Sequence, residues 1–222
     1  MKLQCIVFDI DGTLIDNTRD IIYLFQDTIE RFLGPTQNLT TQEVLALWGP
    51  PGDEIFKQVF PPHIVEEAWE HFLRSYRDQH SSKAFFSRDQ LQGIKVKLKY
   101  LTIFTGKSKK TCEITLDKLG IPDLFDLILT GNDVPRSKPH PDALLQMIDK
   151  LRLSKDETLF IGDSHLDIQA GKEAGVYTAA ALWGTMEPEK TLAENPNYAF
   201  QTPEDFIDFV TQLTPYTNYQ EL

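Results

Sequence analysis

Leu3-Gln4-Cys5-Ile6-Val7-Phe8-Asp9-Ile10-Asp11-Gly12-Thr13 is the stretch on which the fold of this chain turns. A short apolar run climbs to Phe8 and breaks at a pair of carboxylates followed by glycine. Such a run, with no helical period, suits a strand buried on both faces of a parallel sheet. Open parallel sheets take their ligands beyond the carboxyl ends of their strands. Asp9 and Asp11 therefore stand where chemistry is expected.

Outward from this strand the pattern changes to helix between Asn17 and about Ala84. Asn17 reads as an N-cap with Asp20 near the helix dipole. Ile21, Ile22, Phe25, Ile29 and Phe32 follow on one stripe, and Gly34-Pro35 ends it. Gly49-Pro50-Pro51-Gly52 is a turn. Pro61-Pro62 opens a further helix with Ile64, Val65, Ala68, Trp69, Phe72, Leu73 and Tyr76 on one side. No strand is legible here. Beyond it strands and helices alternate. Helix is expected around Leu91, Ile94 and Leu98, then at Ser108–Leu119, Pro141–Leu151 and Leu166–Ala174. Strands are expected at Tyr100–Phe104, Leu127–Leu129, Thr158–Ile161 and Val176–Leu182. Alternation of this kind predicts an α/β fold, a parallel sheet with helices on both faces. The helical stretch interrupts it as an inserted cap, residues 16–85, with residues 1–15 and 86–222 forming the core.

Three of these strands end in polar residues suited to one reaction: Asp9 and Asp11, Thr105, and Asp163 with Asp167 close behind. Lys138 lies in the loop Ser137-Lys138-Pro139-His140-Pro141. Carboxylates alone would repel a phosphate and one another. A hard divalent cation removes both objections, and magnesium commonly uses one or two carboxylates plus substrate oxygens. Asp9 and Asp163 are its natural ligands, with the Asp11 backbone carbonyl as a third oxygen. An Asp9 oxygen could then attack phosphorus in line, with Thr105 and Lys138 stabilising the equatorial charge. Asp11 could protonate the leaving oxygen and later deprotonate water.

Asp9-Ile10-Asp11-Gly12-Thr13 resembles the first motif, DxDGT, of the haloacid dehalogenase superfamily. Thr105 resembles its second motif, Lys138 its third, and Gly162-Asp163-Ser164-His165-Leu166-Asp167 its fourth, GDxxxD. The order and spacing agree along the whole chain. The insertion is similar to the cap of the phosphoglycolate phosphatase, pyrophosphatase and β-phosphoglucomutase-like branch. The resemblance implies a Rossmann-like core, a mobile cap, Mg2+ and an aspartyl-phosphate intermediate. It implies Asp9 as nucleophile, Asp11 as acid/base, Thr105, Gly106 and Lys138 around the substrate phosphate, and Asp9, Asp11 and Asp163 around the metal. Thr13 would stand behind them, and Asp167 would either join the metal ligands or stand behind them too. Two positions depart from the pattern: Gly106 replaces the usual Asn, and Phe86-Ser87-Arg88-Asp89 stands where a Pro-Gly turn is common.

Composition narrows the class further. The chain has 222 residues, 41% of them hydrophobic, and a net charge of −11. That surface repels nucleic acid and anionic lipid, so neither is an expected partner. No segment reads as a spanning helix or a signal peptide, which predicts a cytoplasmic protein. Cys5 and Cys112 read as buried, unpaired core residues. The expected partner is a small phosphorylated metabolite, and the expected state a monomer or weak homodimer. Other residues read more plainly. Lys107 is expected at the surface, as are Arg19, Arg74 and Arg77. His140 and His165 read as bystanders, and Trp69, Phe72 and Tyr76 as core packing. Gly49–Gly52 is the candidate specificity loop. The competing activities are a phosphomutase with the same nucleophile, a non-catalytic binder on the same fold, a phosphoacceptor domain, which would not need the insertion, and a dehalogenase, in which Asp11 and the metal ligands would be idle.

Overall fold

Every side chain of the Cys5-Ile6-Val7-Phe8 run is buried, and the run forms strand β1 (Cys5–Phe8) at the centre of a parallel sheet. The structure, a computed structural model, describes residues 2–79 and 83–216. The other strands are β2 (Tyr100–Phe104), β3 (Leu127–Leu129), β4 (Thr158–Gly162), β5 (Tyr177–Ala181) and β6 (Tyr198–Phe200). Their order is β3-β2-β1-β4-β5-β6, and every neighbouring pair is parallel. The order reverses direction at β1, between β2 and β4. This is where open α/β sheets form their ligand crevice. In register, Phe8 lies opposite Ile103 and Ile161. Asp9 is therefore level with Phe104 and Gly162, the last residues of β2 and β4, and Thr105 and Asp163 follow one residue further on.

The pleat sends alternate residues to opposite faces. Ile6 and Phe8 join Leu101, Ile103, Leu159 and Ile161 in one core. That core is covered by α5 (Arg88–Lys95), α6 (Lys109–Leu119) and α10 (Pro203–Thr211). Cys5 and Val7 face the other way with Phe104 and Phe160, under α7 (Asp142–Leu151) and α8 (His165–Ala174). Both cysteines are free and buried, as expected.

Between β1 and β2 lie α1 (Thr18–Leu33), α2 (Thr41–Ala46), α3 (Gly52–Val59) and α4 (Val65–Gln79). They enclose a third apolar cluster of their own, centred on Phe25, Ile29, Phe56 and Phe72. The chain leaves and re-enters the sheet region through one paired neck. Asp16 N–H donates to the Lys83 carbonyl at 2.9 Å, and Phe85 N–H to Leu14 at 2.9 Å.

Several elements differ from the sequence-based expectation. Asn17 precedes α1 but makes no side-chain cap; its amide donates to Asp11 Oδ1 at 2.6 Å instead. The donor end of the amide is fixed by that carboxylate, and its oxygen accepts from no N–H of the first turn. α4 begins at Val65, three residues after Pro62. Beyond β5, α9 (Pro188–Ala193), β6 and α10 had no sequence reading. β6 is three residues long, and its middle residue, Ala199, is exposed, so it lacks the buried run that marks the central strands.

Phe206 of α10 is fully buried and meets Phe8, Phe86 and Phe200 edge-on, with centroids 5.4 to 6.2 Å apart. Phe206→Ala is expected to destabilise the protein by about 3–5 kcal/mol, since this ring cluster cannot collapse around the void. Urea denaturation of the two proteins checks it.

Candidate active site

The edge where β1, β2 and β4 end gathers the charged residues. Asp9, Asp163 and Asp167 are all buried, and each offers an oxygen within 4.8 Å of the others. Asp9 follows β1, Asp163 follows β4, and Asp167 sits in the first turn of α8. Ser164 N-caps that helix, and its N–H and hydroxyl donate to Asp167 Oδ2 at 2.9 and 2.5 Å. Lys138 reaches into this group. Its Nζ lies 2.7 Å from Asp9 Oδ1 and 2.6 Å from Asp167 Oδ1. The same ammonium rests over Phe104 and Phe160, 5.0 and 5.2 Å from the ring centroids.

One ammonium does not balance three carboxylates. Burial raises the Asp9 pKa to about 7, with Asp167 and Asp11 adding to the rise and Lys138 opposing it. Burial, then Asp167 and Asp9, also lift Asp163 well above the usual carboxylate range. Burial works against the Lys138 ammonium, but Asp167 and Asp9 outweigh it and hold its pKa above the ordinary lysine value. A cluster of hard oxygen donors with excess negative charge fits a divalent cation, and Asp9, Asp163 and Asp167 could hold one.

Gly12 makes this convergence possible. Its φ is +71°, and a Cβ there would lie 2.3 Å from Asp163 Oδ2. Any side chain would be strained and would also push Asp163 out of place. Thr13 is fully buried behind the loop, and its carbonyl accepts from Trp183 Nε1 at 3.1 Å.

The Asp11 carboxylate lies apart from the Asp9 group. Its Oδ1 receives Asn17 Nδ2 at 2.6 Å and the Lys107 ammonium at 2.7 Å. Lys107 Nζ also donates to the Tyr76 hydroxyl at 2.7 Å, and that hydroxyl lies 2.7 Å from Thr115 Oγ1. Tyr76 belongs to α4 and Thr115 to α6, so this chain of polar contacts ties the inserted helices to the sheet region through Asp11. Burial raises the Tyr76 pKa to about 12, opposed by Lys107, so the ring stays a neutral phenol.

A cavity with about 810 Å3 of empty space, open to solvent, spans this edge and the inserted helices. Asp9, Asp11, Thr105, Gly106, Lys138 and Asp163 all line it. Asp167 lies behind Lys138 in direct ionic contact. Thr13 lies behind the loop. Gly49, Pro50 and Gly52 line the opposite side, and the Gly49 backbone approaches the Lys138 carbonyl. Arg19, Arg74 and Arg77 are exposed and do not line the cavity, and neither do His140 and His165.

Two expectations are corrected. Lys107 is not a surface lysine: it is buried, lines the cavity and holds Asp11. Trp69, Phe72 and Tyr76 do pack in the helical core, yet all three also face the cavity. The available signal for Lys107 was its place two residues after Thr105, at the mouth of a central strand. For Tyr76 it was a hydroxyl in an otherwise apolar stripe, since a buried tyrosine needs a partner.

Comparison with known proteins agrees with this geometry. The family model described as haloacid dehalogenase-like hydrolase matches residues 6–181. Pyrophosphatase PpaX of Anoxybacillus flavithermus is 31% identical over 212 residues, covering 95% of this chain and 98% of that protein. A haloacid dehalogenase-like family hydrolase from Streptococcus pneumoniae superimposes with TM-score 0.72 at 25% identity, over 93% of this chain and 98% of that one. The crystal structure of a predicted phosphoglycolate phosphatase from Haemophilus somnus shares the fold, with TM-score 0.78 at 21% identity, over 96% and 99% of the two chains.

Tyr76→Phe is expected to cost about 1–3 kcal/mol, because it strips a buried hydrogen-bond partner from both Lys107 and Thr115. Thermal and urea unfolding of the variant measure it.

Proposed function

This chain belongs to the haloacid dehalogenase-like hydrolases, and from that premise we propose that it hydrolyses a small phosphorylated metabolite through a phospho-aspartate on Asp9. The observation that carries the proposal is the meeting of Asp9, Asp163 and Asp167 within 4.8 Å around the Lys138 ammonium, with Asp11 held separately by Lys107. Residues 16–85 act in this proposal as a cap over the site, and the paired neck at Leu14–Asp16 and Lys83–Phe85 supports that division.

The two aspartates divide the work by their surroundings. An Asp9 carboxylate oxygen attacks phosphorus, and the bond to the leaving oxygen breaks. Asp11 gives that oxygen its proton. Asp11 then takes a proton from the water that attacks the phospho-aspartate, which releases phosphate and restores Asp9. Asn17 and Lys107 hold the Asp11 carboxyl toward the cavity during both transfers. Lys138, already at bonding distance from Asp9, sits where charge grows on the equatorial oxygens, and Asp167 keeps it there. Thr105 and the Gly106 backbone contact the phosphoryl group from the β2 side. Asp9 and Asp163, with the Asp11 backbone carbonyl, would hold Mg2+. When bound, the ion offsets the surplus carboxylate charge and that of the incoming phosphate. The pyrophosphatase relatives support cleavage of a phosphorus–oxygen bond; phosphoglycolate, pyrophosphate, a sugar phosphate or a nucleotide all enter as candidates by size.

The purified protein is expected to release phosphate from simple phosphomonoesters with Mg2+ present, and excess chelator should stop it. Asp9→Asn should reduce release to background. Undiminished turnover in that variant, or in chelator, ends the proposal. Lys138→Met should lower kcat by about 10²–10³-fold, as loss of one preorganised charge at the transition state does. Steady-state kinetics on a folded variant, checked by circular dichroism, measures it.

A further inference from the structure

Above its acidic floor the cavity changes character. Its upper wall is built by Ile21 of α1, Trp48, Ile55 of α3, Trp69 and Phe72 of α4, and Leu166 of α8. Trp69 and Phe72 stack at 5.5 Å with planes 13° apart, and Phe72 stacks on Tyr76 at 5.8 Å and 24°. This column of rings descends the inner side of α4 to Lys107 and Asp11. The cavity is therefore charged at one end and aromatic at the other.

The lining holds two cations, Lys107 and Lys138, and both are engaged by carboxylates. Arg74, the arginine of α4 nearest in sequence to Phe72, is exposed beside Glu70 at 3.8 Å. From the loop Gly49-Pro50-Pro51-Gly52, Pro50 lines the cavity with no N–H to offer an anion, and Gly49 and Gly52 line it with backbone that carries no net charge. α3 does begin at this loop, but its first turn carries Asp53 and Glu54, which oppose an anion there. A second phosphoryl group, or a carboxylate beside the phosphate, would enter this wall with no cation among the described residues to meet it. Burying such an ionised group unpaired is unfavourable. An apolar body would instead remove ring and aliphatic surface from water, and a flat ring could stack along the column.

We propose that the substrate is a phosphomonoester whose alcohol portion is uncharged, largely apolar and of ring size, held by Trp48, Ile55, Trp69 and Phe72. This rests on the phosphatase reading above and narrows its substrate class. It places pyrophosphate and phosphoglycolate among the poor substrates, although the relatives include pyrophosphatases.

The test compares benzyl phosphate, methyl phosphate, 2-phosphoglycolate and pyrophosphate at one Mg2+ concentration, with phosphate release as the readout. The kcat/KM for benzyl phosphate should exceed each of the other three by at least about tenfold. Ratios between substrates within one preparation do not depend on how much of a variant folds. Trp69→Ala should lower the benzyl-to-methyl ratio at least about fivefold, chiefly through KM, and Ile55→Lys should raise 2-phosphoglycolate relative to benzyl phosphate. Equal rates on all four, or preference for any of the other three over benzyl phosphate, overturns the inference and leaves the phosphatase reading standing. Release from none of them overturns both.

Discussion

Three buried carboxylates gathered about one ammonium, Lys138, is the constraint to which the rest of the structure answers. Left to themselves, Asp9, Asp163 and Asp167 repel one another, and burial makes the repulsion stronger. The fold compensates locally. Lys138 bridges two of them, Ser164 donates twice to Asp167, and Gly12 gives Asp163 the room that a Cβ would deny. Burial first, and then the neighbouring carboxylates, raise the pKa values of Asp9 and Asp163. Surplus charge and hard oxygen donors together fit a divalent cation.

Asp9 and Asp11 are two residues apart yet live in different surroundings. Asp9 faces the carboxylate cluster, while Asp11 is held by Asn17 and by a lysine that also grips a tyrosine from the inserted helices. A pair of carboxyls separated in this way can serve as nucleophile and proton carrier without exchanging roles. Because Tyr76 completes the second environment, the position of α4 and the setting of Asp11 are physically linked. The aromatic column on the same helix then carries the apolar wall down to the reacting groups, so one element contributes to both ends of the cavity.

Much of the architecture was legible in local pattern. β2 and β3 have the limits that their apolar runs imply, and Gly120 and Gly175 close α6 and α8 in left-handed conformations at the positions where glycine stood. A strand buried on both faces leaves a continuous apolar run, and a helix stop leaves a glycine. β6 left neither, being short and exposed at its middle residue. Asn17 misled for a related reason. Its local chemistry favours capping, but its Nδ2 donates to the Asp11 carboxylate six residues earlier, a charge-assisted bond, and its oxygen caps no N–H of the helix.

By itself the sequence determined which residues could do chemistry, because strand ends in a parallel sheet fall on one edge and the residues there are Asp9, Asp11, Thr105 and Asp163. Only the tertiary structure decided what Lys107, Tyr76 and Trp69 are. A lysine after a strand or an aromatic on an amphipathic helix looks the same whether it meets solvent, core or cavity, since periodicity records which side of an element is buried but not what lies opposite. That partner came from a helix and a strand end separated by about thirty residues of chain, brought together by the packing of α4 against α6.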